Sequence, residues 1–200
     1  MLNVSTWNES GVADKMDTGL NEYWFDLVKR KIIIEKVKTD IKKGWQKAID
    51  AGIPYDVAAH SLGTVATYEA IRELKTERPD IAFRNVFLMG SPLAFFFDQN
   101  KAVYDANAFQ NVQNVVNIYN TNDAMNNIKT EIKTGAIYGA SSINPLLGGI
   151  ITNFVATKPV SRELKPFFAN IKDVKTDVPH GNMWIDPRML KDVEANGVFN

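Results

Sequence analysis

Cysteine is absent from this 200-residue chain, and its absence removes a disulfide framework, a thiolate metal site and a cysteine nucleophile together. It is compatible with a reducing, cytoplasmic location. Histidine is almost absent: His60 and His180 are the only two, so any imidazole chemistry has two candidates to draw on. An excess charge is missing as well. Lys+Arg and Asp+Glu stand at 23 each, which gives no electrostatic footprint for nucleic acid or an anionic membrane. The basic cluster Lys29, Arg30, Lys31 gives way to Glu35, Lys36, Lys38 and Asp40, the mixture of a solvated face. The first residues, Met1 to Glu9, lack the basic-then-apolar order of a secretory leader. No run of about 18 apolar residues occurs. The nearest stretch, 134–157, is uncharged but interrupted by Ser141, Ser142, Asn144, Pro145 and Asn153.

What is present is ordinary globular material. A hydrophobic share of 45 % supports one domain over residues 1–200 with one sizeable core. Strand-like and helix-like segments alternate, which predicts the α/β class: a mostly parallel sheet with helices on both faces. A helix is expected from Thr39, with Ile41, Trp45, Ala48 and Ile49 at helical spacing and Gly52 and Pro54 as stop signals. Tyr55 to Ala59 reads as a strand. A helix to about Lys75 follows, blocked from continuing by Pro79. Asn85 to Gly90 reads as a buried strand, apolar at four positions in a row, Val112 to Tyr119 holds a third strand, and Ile171 to Val174 a weaker one. Asp186 to Ala195 reads as a closing helix with Pro187 in its first turn. Asn3 to Trp7 fits a strand, and Ile32 to Ile34 fits strand or helix with a lean to helix.

The segment Ala59-His60-Ser61-Leu62-Gly63 stands between a strand and a helix. A serine on such a turn is lifted clear of the sheet, and small residues two before and two after it relieve crowding. The backbone N–H of Leu62, opening the helix, then faces a developing oxyanion. The competing reading makes Ser61 a plain N-cap.

Ala59-His-Ser-Leu-Gly-Thr64 resembles the nucleophile elbow of lipase- and esterase-like α/β hydrolases, with Ala59 where glycine is commoner. Phe87-Leu-Met-Gly-Ser-Pro-Leu93 resembles the next strand and turn of those proteins. Asn117-Ile-Tyr-Asn-Thr-Asn-Asp123 resembles their acid-bearing strand end, and His180-Gly-Asn-Met-Trp184 their late histidine loop. The resemblance covers roughly the last three-quarters of the chain.

The resemblance implies a serine hydrolase with Ser61 as nucleophile, His180 as base and Asp123 as the acid that orients it, in the chain order Ser, acid, His. Serine needs a neutral imidazole to take its proton, and the imidazole needs a carboxylate to fix its tautomer. His60, adjacent to the nucleophile, is expected to pack under the elbow. Asp98 is the second choice of acid. Asp173 and Asp177 rank below it, because they lie on the segment that delivers His180.

Related enzymes often supply a second oxyanion donor from an early His-Gly turn, which this chain lacks; a backbone N–H near Trp7 is the candidate. Phe95 and Phe96 are read either as lining an acyl pocket or as core. Residues 134–157, with Leu146 and Leu147, admit a buried helix, an apolar lid over the site or a membrane contact. The expected substrate is a small-molecule or lipid-like carboxylic ester. A thioester, an amide, or binding without catalysis are the alternatives, and no metal or organic cofactor is implied.

Overall fold

The computed structural model describes residues 27–99, 101–122, 161–183 and 185–198. Asp123, Trp7, Leu146, Leu147 and the whole of 134–157 lie outside the described residues, as does the strand expected at Asn3 to Trp7.

The long helix α1 spans Leu27–Asp50. Ile34, Ile41 and Ala48 recur along it at helical spacing and are buried. This corrects the expected start at Thr39. Ile32 to Ile34 is helix, with Ile34 continuing the buried stripe of the later turns while Ile32 is exposed, and a three-residue run viewed alone hides that period. Strand β1 (Asp56–His60) follows, then α2 (Leu62–Glu77), β2 (Phe83–Met89), a short helix α3 (Leu93–Gln99), β3 (Val112–Tyr119), β4 (Ile171–Lys175) and α4 (Pro187–Ala195). A single 3₁₀ turn lies at Lys101–Val103 and another at His180–Asn182.

The four strands form one sheet in the order β1-β2-β3-β4, every pair parallel. Because every pair is parallel, all four carboxyl ends lie on one edge. Alternate strand residues divide between two cores. Val57, Val86, Leu88, Val115 and Ile171 pack with α1, α2 and α3 on one face. Met89, Val116, Ile118 and Val174 pack with Val193 of α4 on the other. Helices therefore cover both faces, as strands with apolar residues on both sides require.

Helix α2 is buried on two sides, against β1 and against α1. Its Glu69 is 1 % exposed and is held by a forked pair from Arg30, whose guanidinium also lies 5.3 Å from the Phe96 ring centre. Lys38, 2 % exposed, reaches from α1 to Glu73 and Glu77 of α2 at 2.9 and 2.5 Å and to its own Glu35 at 3.0 Å. Burial opposes its charge, but the three carboxylates win and raise its pKa above the ordinary lysine value.

The two clamps differ in consequence. The partners of Lys38 are 37–53 % exposed and rehydrate when the lysine is removed. Glu69 cannot. Arg30→Met is therefore expected to destabilise the fold by about 3 kcal/mol in urea unfolding, and Lys38→Met by about 1 kcal/mol. Equal losses would show that Glu69 rehydrates.

Candidate active site

Ser61 follows the last residue of β1 and immediately precedes α2. Its backbone sits at φ 52, ψ −131, and it is the only non-glycine residue with positive φ among the described residues. For an L-residue that conformation is strained by about 1–3 kcal/mol. The strain is not compensated by capping, because the Ser61 side chain makes no cap hydrogen bond to α2. A plain N-cap serine has extended backbone and uses its hydroxyl on the helix. Ser61 does neither.

A relay of hydroxyls holds the turn. Thr64 N–H and Thr64 Oγ1 both donate to the Ser61 carbonyl, at 3.0 and 2.7 Å. The Thr64 hydroxyl has one proton, so Ser91 must donate to Thr64 Oγ1 across their 2.8 Å contact, and Ser91 Oγ accepts from Leu93 N–H at 3.2 Å. Thr64 and Ser91 are both fully buried. The turn after β1 is thus bolted to the turn after β2. Thr64→Val is expected to destabilise by about 1–3 kcal/mol, since it strands the buried Ser91 donor, and Thr64→Ser by less than half of that. Equal midpoints for the two variants in urea unfolding would contradict the relay.

Gly63 departs from the expectation of crowding. A Cβ placed there meets nothing within 4 Å, so no crowding among the described residues requires glycine at that position.

His180 is brought to the same edge. It opens the 3₁₀ turn after β4, is 7 % exposed, and lies against the end of β2: a Cβ on Gly90 would stand 2.5 Å from its Nδ1 and 2.6 Å from its Cε1. Gly90 is one strand from Ser61. Ser61 N–H donates to the Met89 carbonyl at 2.9 Å, and adjacent strands are about 4.8 Å apart. Among the described residues the Ser61 hydroxyl makes no hydrogen bond to the His180 ring. The Leu62 N–H, in the first turn of α2, is among the donors that a helix leaves without an internal partner.

His60 does not merely underlie the turn. Its ring centre lies 4.5 Å from that of His180, and its Nε2 donates to the His180 carbonyl at 2.8 Å. The segment 176–180 is tied further by Thr176 N–H on the Tyr119 carbonyl (3.0 Å), Thr176 Oγ1 on Asp192 (2.6 Å) and Asn120 Nδ2 on the Val178 carbonyl (3.0 Å). Tyr119 itself, pushed up to about 12 by burial and then by Glu163, which accepts from its hydroxyl at 3.0 Å, stays a neutral donor.

The acids sort by what they hold. Asp98 pairs with Arg162. Asp173 is occupied by Leu164 N–H, Lys165 N–H and the buried Asn117 amide. Asp177 is mostly exposed, 3.6 Å from Arg188. Asp123 follows directly on Thr121 and Asn122, the turn at the end of β3, just outside the described residues. Phe96 is fully buried in the larger core, edge-on to Phe97, the core member of its two readings. Phe95 is 7 % exposed and belongs to neither cluster.

Gly90, Thr64, Ser91 and Asn120 were not singled out from the sequence. The signal for Gly90 and Ser91 was present in the Gly-Ser-Pro-Leu turn, but the landing of His180 on that turn is a contact between residues 90 apart. Among the described residues no cluster of His, Cys, Asp or Glu is placed to hold a metal, and no helix is long and apolar enough to cross a membrane. No protein-family model, curated protein or solved structure matches this chain.

Proposed function

We propose that this chain is a serine hydrolase of the α/β-hydrolase type that cleaves a carboxylic ester through an acyl-enzyme on Ser61. The observation that carries the reading is the strained, non-capping backbone of Ser61 at a strand-to-helix turn, with the buried His180 ring one strand away. Strain of this kind persists only where the surroundings impose it, and it clusters at functional positions.

The chemistry follows from the groups present. Ser61 Oγ attacks the ester carbonyl while neutral His180 takes the hydroxyl proton on one ring nitrogen. The new oxyanion receives the Leu62 N–H and the positive end of α2. The C–O bond to the alcohol breaks as His180 returns its proton to the leaving oxygen. Water, deprotonated by the same ring, then releases the acid and restores Ser61. Asp123, next along from the end of β3, is the acid assigned to orient His180. The hydroxyl relay through Thr64 and Ser91 supports this reading, because it fixes the carbonyl of the nucleophile rather than its side chain and leaves the hydroxyl for substrate.

A fluorophosphonate probe tests the proposal, since it reacts with an activated serine. Labelling of the wild type that disappears in Ser61→Ala is the expected result. An unlabelled wild type, or equal labelling of Ser61→Ala, overturns the proposal and leaves a hydrolase-like binding module. A p-nitrophenyl ester series from acetate to palmitate then reads the acyl length.

A further inference from the structure

The geometry points to His60 as a positioning residue for the base, acting with Asn120 as a two-point clamp on the carbonyls of the loop that carries His180. The inference rests on the hydrolase reading and deepens it.

The loop between β4 and α4 must deliver one imidazole to the edge of another strand, and it has little regular structure of its own to do so. Two side chains grip alternate carbonyls of it. Asn120, 5 % exposed at the end of β3, donates its Nδ2 to the Val178 carbonyl at 3.0 Å. His60, the last residue of β1, donates to the His180 carbonyl at 2.8 Å, and its ring also lies 4.5 Å from the His180 ring. A carbonyl only accepts, so the bond places a proton on His60 Nε2. The donors come from the first and third strands of one sheet, and the loop they hold rests on the second, at Gly90. The base is therefore located by the same rigid element that carries the nucleophile, since His60 and Ser61 are consecutive. Any drift of the sheet edge moves both together. Free rotation of the 176–180 segment about β4 would move only one of them, and a misplacement of about 1 Å at a reacting pair is enough to lower turnover about a hundredfold.

The experiment compares His60→Leu, which removes the donor, with His60→Gln, whose side-chain amide offers an N–H at similar reach. Both are measured well below their melting temperatures, with Asn120→Ala beside them. For His60→Leu the expected result is fluorophosphonate labelling of Ser61, and kcat, slower by about tenfold to a hundredfold, with KM within about twofold of wild type. His60→Gln recovers most of the loss, and Asn120→Ala shows a smaller loss of the same kind. A residue that only stabilised the fold would lower the melting temperature and leave labelling at low temperature unchanged. Labelling of His60→Leu at the wild-type rate overturns the clamp while the hydrolase reading stands. So does His60→Gln as slow as His60→Leu, because ring bulk rather than the donor would then be responsible. Should His60→Leu fail to fold, the His60→Gln and Asn120→Ala rates decide the matter by the same criteria. A wild type that does not label overturns the clamp and the hydrolase reading together.

Discussion

Ser61→Gly is expected to raise the melting temperature of this protein while abolishing its turnover. The two effects have separate origins in one residue. At φ 52, ψ −131 the serine occupies the mirror image of the polyproline region, where an L side chain is strained and glycine is at ease. Relief of about 1–3 kcal/mol of strain is offset by the extra conformational entropy that glycine loses on folding, about 0.5–1 kcal/mol. A net gain of about 1 kcal/mol corresponds to roughly 2–4 °C for a chain of this size. Nothing is lost from helix α2, because the Ser61 hydroxyl does not cap it and the carbonyl that Thr64 grips is backbone, present in either variant. Loss of a serine nucleophile elsewhere lowers kcat by about 10⁶, and the same order is expected here. Calorimetry and ester turnover on one preparation read both quantities. A serine that served only as a cap would give the opposite pair of signs, with stability falling and any activity persisting.

The parts of this fold that were legible in the sequence are those punctuated by residues with one meaning. Pro79 closes α2, Gly52 and Pro54 separate α1 from β1, and Pro187 opens α4 behind Asp186, whose side chain accepts from Arg188 N–H. Strand β2 announced itself by four apolar residues in a row, Val86 to Met89, the mark of a sheet buried on both faces, and both faces are covered; β3 was legible by Val115, Val116, Ile118 and Tyr119 despite Asn114 and Asn117 among them. The short helix α3 did not announce itself. Leu93 to Phe97 is apolar at every position, so no period is visible; all five residues are buried, four of them in the larger core. The early turns of α1 were obscured for a related reason. Lys38 lies in the buried stripe facing α2, and a lysine there reads as solvent-facing until Glu73 and Glu77 of the next helix are seen to receive it.

The candidate site divides along the same line. Ser61 and His180 were legible because a strand-to-helix turn has local chemistry and because only two histidines exist. What joins them was not legible, since it is made of contacts between residues far apart in the chain. The grip of His60 on the His180 carbonyl spans 120 positions, and the relay from Ser91 to Thr64 spans 27. Local pattern reports where a group stands on its own element. The distances that turn two such groups into a site belong to the sheet register, and here Ser61 and Gly90 extend the β1–β2 pairing by one step beyond His60 and Met89.

That register makes Gly90→Ala the most informative substitution away from the reacting groups. The residue has φ +58, so any side chain there is strained before contact is considered, by about 1 kcal/mol or more. The contact is the larger matter. An added Cβ stands 2.5 Å from His180 Nδ1 and 3.4 Å from Met183 Sδ, and one of three things must move. The β2 backbone is fixed on both sides, by Ser61 N–H on the Met89 carbonyl and by Gly90 N–H on the Ile118 carbonyl at 2.8 Å. Met183 is buried in the smaller core, although its flexible thioether yields most easily, and its contact is the mildest of the three. The imidazole is left to swing away from the sheet edge by about 1 Å. A displacement of that size at a base lowers kcat about a hundredfold or more, and the strain and lost packing destabilise the fold by about 2–4 kcal/mol. The two consequences separate by temperature. Measured far below its melting transition, a Gly90→Ala protein with intact secondary structure should still turn over ester at no more than about a hundredth of the wild-type kcat. Full activity of the folded variant would mean that His180 reaches Ser61 without resting on Gly90, and that the base is placed by something other than the end of β2.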